Sequence, residues 1–353
     1  MIKIGITHGD FNGVGYEVIV KALADERITE LFTPVIFGSS DLMARTLRRL
    51  HVEDFHFTSI KRASEAMEGH INVVDACSGE LQQTPGVASQ ASGKAAVEAL
   101  KAACDAMEAG EIDILVTAPI DKKSVQASGF DFPGHTEFLE SRFSSSADEK
   151  SLMILFDDEL RVTLLTTHLP ISRVAESVRK DLVKDTIKRF AASLKRDFGC
   201  ERPRIAVLGL NPHCGDSGAI GTEETEEIIP AIEACRDEGI LAFGPMPADG
   251  FFASGGYRAV DGVLAMYHDQ GLAPFKALSR ENGVNFTAGL EIVRTSPAHG
   301  TAYDKAGRGT ADATSMREAL YKAIDIARTR AVYDEASANV LQIREHKKGK
   351  EKE

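Results

Sequence analysis

Three stretches of the chain repeat one pattern, in which a run of aliphatic and β-branched residues stops at a histidine in a polar loop. They are LRVTLLTTHLP, RIAVLGLNPHCGD and DGVLAMYHDQG, and their histidines are His168, His213 and His268. Such runs predict buried strands of a parallel sheet. Because ligands bind beyond the carboxyl ends of these strands, the three imidazoles are candidate ligands of one metal ion, with a position left for a substrate oxygen. The alternative is that each histidine only hydrogen-bonds within its own loop.

Strands and helices alternate along the chain. The segments IKIGIT, TPVIFG, INVVDA and IDILVT predict strands, whereas residues 92–107 and the segment from 171 to 198 predict amphipathic helices. This alternation indicates βαβ units and a mainly parallel sheet, the α/β class. A chain of 353 residues is long enough for two domains.

Composition and charge narrow the partners and the compartment. The formal net charge of −12 disfavours nucleic acid and an anionic membrane, because both require clustered Lys and Arg. The apolar runs stay well short of the roughly 20 residues that span a bilayer. The five cysteines are scattered, odd in number and without a CxxC, which does not fit a disulfide framework. With no signal segment ahead of the first strand, we expect a cytoplasmic protein.

Two turns could hold an anion. Gly9, Gly13 and Gly15 form a glycine-rich strand-to-helix turn, where a helix N-terminus attracts negative charge; the same glycines could serve only a tight turn. In FPGHTEFL, His135 and Thr136 stand at the start of a predicted helix, where the helix dipole also favours an anion. Their alternative role is N-capping.

A lysine, an amide and an arginine follow His268 in the sequence. They are Lys276, Asn285 and Arg294. Such a group suits a phosphate or carboxylate, which the arginine can bind bidentately. Ordinary surface charge is the alternative for each.

Eight ordered segments resemble the 4-hydroxythreonine-4-phosphate dehydrogenase family of vitamin B6 biosynthesis. They are TAPIDK, FPGHTEFL, THLP, LNPHCGD, PADGFF, AMYHDQG, GVNFTAGL and RTSPAHGTAYDKAGRG, and they cover nearly the whole chain. The resemblance implies an isocitrate/isopropylmalate dehydrogenase-like fold, in which two α/β/α domains enclose a cleft. We expect residues 1–130 and 300–342 to form one domain, 131–299 the other, and 343–353 a charged tail. The family resemblance further implies a homodimer with active sites at the subunit interface.

The resemblance also implies roles for individual residues. One divalent metal per subunit is expected on histidines from both subunits, with zinc favoured and magnesium, cobalt or manganese as alternatives. Asp269 is expected to orient His268, Lys276 to hold an anionic end of the substrate, and Asp249 to lie in the same cleft. The implied metal ligands are His168, His213 and His268. The implied contacts to a phosphorylated substrate are His135, Thr136, Lys276, Asn285 and Arg294.

The segment HGTAYDKAGRGTAD is similar to the adenosine-binding loop of isopropylmalate and NAD-dependent isocitrate dehydrogenases. By that similarity, Asp304 would accept hydrogen bonds from a ribose diol and repel a 2′-phosphate, which favours NAD over NADP. The alternative is a glycine-rich loop that only precedes the last helix. The residues expected near the nucleotide are His299, Gly300, Ala302, Asp304 and Asp312.

The implied activity is NAD-dependent oxidation of 4-phosphohydroxy-L-threonine, followed by decarboxylation to 3-amino-2-oxopropyl phosphate. The chain departs from the family pattern at Phe11, Asn12 and Tyr16 in the first loop, at Asp121 and at Asp216. A sibling dehydrogenase acting on another hydroxyacid or a cis-dihydrodiol is therefore the main alternative. A phosphate acyltransferase of related fold and a non-catalytic metal- or nucleotide-binding protein are the others.

Overall fold

A twelve-stranded sheet runs through this computed structural model, which describes residues 1–144 and 150–339. The strands are β1 Lys3–Thr7, β2 Thr33–Gly38, β3 Phe57–Ile60, β4 Ile71–Asp75, β5 Ile114–Thr117, β6 Leu152–Phe156, β7 Arg161–Leu164, β8 Arg204–Leu208, β9 Leu241–Met246, β10 Gly262–Ala265, β11 Val284–Ala288 and β12 Val293–Pro297. Their order across the sheet is β3-β4-β2-β1-β5-β12-β11-β6-β7-β10-β8-β9. The predicted α/β class is confirmed.

Two parallel groups of strands meet at an antiparallel centre. Strands from β3 to β12 pair in parallel, as do β7, β10, β8 and β9. Between them, β12–β11, β11–β6 and β6–β7 are antiparallel. The short connections 289–292 and 157–160 explain this centre, because a tight hairpin can join only antiparallel neighbours. The sheet is thus mainly parallel, as predicted.

Helices cover both faces of the sheet. They are α1 Gly15–Ala22, α2 Ser40–Leu50, α3 Gln90–Glu108, α4 Lys122–Ala127, α5 His135–Phe143, α6 Val174–Ser177, α7 Lys180–Arg196, α8 Ile229–Asp237, α9 Ala248–Ala253, α10 His268–Ser279 and α11 Thr314–Ser337. On β2, Val35 and Phe37 join the apolar cluster under α3, whereas Ile36 joins the cluster with α1 and α11. Alternate side chains point to opposite faces, so a strand buried on both sides must read as a continuous apolar run.

The N-termini of α2 and α5 are capped differently. Ser39 caps α2 by accepting a hydrogen bond from Leu42 N at 3.3 Å. At α5 the N-cap is Gly134, without a side-chain cap, so N-capping by His135 or Thr136 is excluded as their role.

Within the described residues, no helix is long and apolar enough to cross a membrane. The predicted tail 343–353 lies outside the described residues.

His8, which follows β1, should make the protein sensitive to acid. It is 0% exposed and stacks on Tyr16 at 5.0 Å between ring centroids, and burial lowers its pKa from 6.5 to about 4. The unfolded chain therefore takes up a proton at higher pH than the folded protein does. The stabilisation is complete above pH 6.5 and is lost as the pH falls towards 4, by about 3 kcal/mol in the free energy of unfolding.

Urea unfolding at pH 7.5 and pH 4.5 measures this loss. We expect His8→Gln to flatten the pH dependence, and His56→Gln, which changes an exposed histidine, to leave it unchanged. An unaltered pH dependence in His8→Gln would show that the buried imidazole is not responsible.

Candidate active site

Two of the three predicted metal ligands lie side by side. His168 follows β7 and His268 begins α10 just after β10. These strands are parallel neighbours, and the pairing continues beyond them through Leu165 N to Ala265 O and Thr166 N to Met266 O. The His168 and His268 ring centroids are therefore 6.2 Å apart.

The surroundings of this pair leave a ring nitrogen of His268 free and favour the neutral form of His168. Nδ1 of His268 lies 2.7 Å from Asp269 Oδ1, which leaves Nε2 for a metal. Burial, followed by the charge of Lys122, lowers the pKa of His168. The Lys122 ammonium lies 3.4 Å from His168 Nε2. A neutral imidazole is the form that ligates metals.

His213 lies apart from this pair. It follows β8, which neighbours β10, but it lines a separate open hollow of about 530 Å³ with Asp249 and Tyr267. Tyr267 also lines the hollow that holds His168 and His268, so this residue borders both hollows. Across residues 1–144 and 150–339, no three His, Cys, Asp or Glu side chains are grouped closely enough to hold a metal.

Arg294 is a buried cation that faces hydroxyls rather than carboxylates. It lies on β12 and is 3% exposed. Its Nε and Nη2 donate to Thr117 Oγ1 at 3.1 and 2.6 Å, and its Nη1 donates to Thr287 Oγ1 at 3.0 Å. Burial lowers its pKa to about 10, and the nearby Glu137 raises it. A buried guanidinium without close charge compensation is a strong receptor for an anion.

A cavity of about 240 Å³ brings most of the predicted substrate contacts together. Asn285 lies on β11, and its Oδ1 is buried without a hydrogen-bond partner in the described part of the chain. Burial and the charge of Arg294 hold the pKa of His135 well below its usual value, so this imidazole is neutral. The predicted site residues that line the cavity are His135, Thr136, His168, Asn285, Arg294, His299 and Gly300.

A second cavity, of about 410 Å³, holds the predicted cofactor residues. Lys276 lines this cavity and not the first one, although it was grouped with Asn285 and Arg294 by sequence. Asp304 is exposed and lies outside the cavity lining. Since His299 and Gly300 line both cavities, the two spaces meet there. The predicted cofactor residues in its wall are His299, Gly300, Ala302 and Asp312.

Sequence reasoning missed four polar residues in the smaller cavity. Its lining includes Thr117, Lys122, Glu137 and Ser296, which were not singled out. The signal was present, because each belongs to one of the segments TAPIDK, FPGHTEFL and RTSPAHG. Their side-chain directions, which depend on helix phase and strand face, were not readable from the segments alone.

The family departures in the first loop have structural roles. Asn12 is buried, and its Nδ2 donates to Val87 O at 2.9 Å and to Ser89 Oγ at 3.2 Å. The Tyr16 hydroxyl accepts from Ser39 N at 2.8 Å. Of this loop, Val14 reaches the larger cavity, whereas Gly9, Gly13 and Gly15 do not line it. A Cβ added to any of the three glycines would lie 2.0–2.7 Å from a backbone carbonyl oxygen, which fits the alternative considered for them, a tight turn with close packing.

Comparison with known proteins gives consistent matches. The chain matches the family model of the pyridoxal phosphate biosynthetic protein PdxA over residues 30–323. It is 49% identical over 341 residues to a 4-hydroxythreonine-4-phosphate dehydrogenase of Bacteroides thetaiotaomicron, covering 97% of this chain and 93% of that one. It is 39% identical over 331 residues to a putative D-threonate 4-phosphate dehydrogenase of Oceanobacillus iheyensis, covering 93% and 98%. A crystal structure of the 4-hydroxythreonine-4-phosphate dehydrogenase of Klebsiella pneumoniae matches with a TM-score of 0.79 at 33% identity, covering 93% and 100%.

Proposed function

Because the chain belongs to the PdxA family of pyridoxal phosphate biosynthetic proteins, we propose that it is a 4-hydroxythreonine-4-phosphate dehydrogenase. The reaction oxidises the secondary alcohol of 4-phosphohydroxy-L-threonine by hydride transfer to NAD, with release of a proton. Loss of carbon dioxide from the resulting 3-oxo acid then gives 3-amino-2-oxopropyl phosphate.

The observation that carries this proposal is the buried Arg294. Its guanidinium is desolvated and bound only to threonine hydroxyls in the described structure, so an entering phosphate dianion would supply the charge that the site lacks. His135 and Thr136 begin α5 beside it, where free backbone N–H groups also attract an anion. Asn285 Oδ1 is a buried acceptor without a partner among described residues, available to a donor on the substrate.

The side chains at the strand ends fit a divalent metal. His168 and His268 supply two adjacent imidazoles of the right chemistry, and Asp269 engages the Nδ1 of the second. A bound divalent ion would act as a Lewis acid on the substrate hydroxyl and on the carbonyl formed from it. Asp269 would hold the His268 ring in one orientation. Zinc suits two or three histidines with an open position.

A homodimer accounts for the separation of the third histidine. One chain leaves His213 in a different hollow from His168 and His268, and we propose that a second subunit supplies it across the interface. Leu169 and Ile171, next to His168, are 40% and 71% exposed, and such apolar side chains beside a site fit burial against a partner. We further propose the isocitrate/isopropylmalate dehydrogenase-like division into two domains around the cleft, with the bounds given above.

NAD would occupy the larger cavity, and the nicotinamide would meet the substrate where His299 and Gly300 line both spaces. Lys276 in this wall would hold an anionic group of the cofactor or of the substrate where the spaces meet.

The free, scattered cysteines fit the reducing cytoplasm.

Tyr303→Phe should weaken cofactor binding selectively. The Tyr303 hydroxyl donates to Asp10 Oδ2 at 2.9 Å, and Asp10, 1% exposed, also accepts from Ser92 Oγ at 2.8 Å. This link holds the 299–312 loop against the first loop, so its loss should raise the KM for NAD about tenfold, as expected for one hydrogen bond to a carboxylate. Steady-state kinetics with each substrate varied in turn measures the change.

Two comparisons complete that test. Tyr333→Phe changes an exposed tyrosine on α11 and should leave both KM values unchanged. An equal rise in both KM values of Tyr303→Phe would contradict a role specific to the cofactor loop.

D-threonate 4-phosphate is a second candidate substrate, because a relative 39% identical to this chain is named a putative D-threonate 4-phosphate dehydrogenase. Both compounds carry a 4-phosphate and a secondary alcohol beside C2, and they differ by an amino or a hydroxyl group at C2. Arg294 and His135 would contact only the phosphate that both compounds share, so this part of the site would bind either compound.

NADH formation by the purified protein tests the function. We expect turnover with 4-phosphohydroxy-L-threonine, much slower turnover with 4-hydroxy-L-threonine, and lower kcat/KM with D-threonate 4-phosphate. A higher kcat/KM for D-threonate 4-phosphate would move the substrate to the second candidate. Equal turnover with and without the phosphate would overturn the role given to Arg294.

A further inference from the structure

The loop that carries His213 has an unusual backbone. Residues 213–217 have five consecutive positive φ angles, of 54°, 53°, 78°, 43° and 56°. Four of the five residues carry side chains, and L-residues visit this region only as isolated exceptions because of steric clash at Cβ. The backbone preferences of these residues disfavour the turn, so contacts with other segments of the chain must stabilise it.

Glu224 provides that support. It is 1% exposed and lies in the short π-helical turn Glu224–Ile228 that precedes α8. Its Oε1 accepts a hydrogen bond from Asn211 N at 2.7 Å, and its Oε2 accepts from Asn211 Nδ2 at 3.0 Å. The carboxylate thus binds the backbone and the side chain of the residue two positions before His213.

The left-handed turn packs directly onto this carboxylate. A Cβ added to Gly215 would lie 2.8 Å from Glu224 Oε2 and 2.5 Å from Gly221 O. A Cβ on Gly221 would collide with Asn211 Nδ2. The two glycines therefore allow the turn, the carboxylate and the Asn211 amide to approach within contact distance.

We propose that Glu224 is a positioning residue that clamps the 211–217 turn and thereby presents His213 to the metal. The inference rests on the proposed function, in which His213 is a ligand supplied across a subunit interface. Strained backbone persists where the surrounding structure determines it and is concentrated at functional sites. The clamp fixes the backbone conformation at His213, whose side chain is exposed.

Metal affinity of the full-length enzyme tests the clamp. In Glu224→Gln one carboxylate oxygen becomes an amide donor, so the two bonds that Glu224 accepts from Asn211 cannot both remain. The metal-free enzyme is titrated with Co²⁺, and binding is monitored by the visible absorption of the bound ion. We expect the Kd of Glu224→Gln for Co²⁺ to be roughly 10–100-fold higher than that of the parent, the range found for other residues that orient metal ligands. Glu226→Gln removes the same charge from an exposed position of the same turn and should bind Co²⁺ like the parent.

The outcomes separate the clamp from the metal site itself. If the parent binds no Co²⁺, or His213→Ala binds as tightly as the parent, both the ligand role of His213 and the clamp are overturned. If His213→Ala loses affinity while Glu224→Gln keeps it, only the clamp is overturned. Should Glu224→Gln fail to fold, Asn211→Ala, which removes the side-chain bonds of Asn211 to Glu224 and to Glu223, should still raise the Kd, and an unchanged value would overturn the proposal.

Discussion

Replacement of Arg294 by methionine is expected to lower kcat/KM for the phosphorylated substrate by about 10²–10⁴-fold. The guanidinium is 3% exposed, and threonine hydroxyls are its hydrogen-bond partners in the described structure. In the complex it would form a buried ion pair with the phosphate, and loss of one partner from such a pair costs about 3–5 kcal/mol. Steady-state NADH formation measures the loss.

The same substitution should not destabilise the phosphate-free protein. Burial already lowers the pKa of Arg294 to about 10. Desolvation therefore disfavours the charged form of the guanidinium in the folded protein. We expect the Tm of Arg294→Met without phosphate to equal or exceed that of the parent, because no anion then offsets the desolvation of the guanidinium. Inorganic phosphate should raise the Tm of the parent and not that of the variant.

Arg62→Met is the matched control, since Arg62 is exposed and far in sequence from the cavity. It should keep both the kcat/KM and the response of the Tm to phosphate. Full activity of Arg294→Met with the phosphorylated substrate would falsify the assignment of this cavity to the phosphate.

Removal of the proposed divalent metal is expected to stop NADH formation. Chelation should lower kcat by about 10³-fold or more, because a Lewis acid at the reacting oxygen supplies several kcal/mol, and add-back of zinc should restore the rate. His268→Ala should show the same loss and resist restoration, since His268, at the start of α10 beside His168, would be a metal ligand.

His56→Ala, a change at an exposed histidine away from the strand ends, should respond to chelation and add-back as the parent does. Metal analysis of the dialysed proteins provides an independent readout, with a lower metal content expected for His268→Ala. Undiminished turnover after complete removal of the metal would show that the histidines have another role.

Local sequence patterns sufficed for the elements and for part of the site. Aliphatic runs located β7, β8 and β10 because strands buried on both faces read as nearly continuous apolar runs. The rule that ligands gather at the carboxyl ends of parallel strands also anticipated that His168 and His268 would meet, since both follow directly from neighbouring strands.

Residue proximity along the chain was a poor guide to the rest of the site. Lys276 precedes Asn285 by nine positions, yet α10 presents it to the larger cavity while β11 presents Asn285 to the smaller one. Helix phase and strand register decide such directions, and both depend on the elements packed alongside. The antiparallel pair β11–β12, which sets Thr287 opposite Arg294, was not foreseen.

The sequence by itself determined the α/β class, the order of strands and helices, and the histidine, amide and arginine chemistry available to the site, because these depend on residue type and local periodicity. Only the tertiary structure decided which of those residues share a cavity. It placed His213 in a different hollow from His168 and His268, and it left Arg294 desolvated among hydroxyls. The reason is physical: burial and long-range contacts set loop conformation and charge environment, and neither is encoded in any short stretch of the chain.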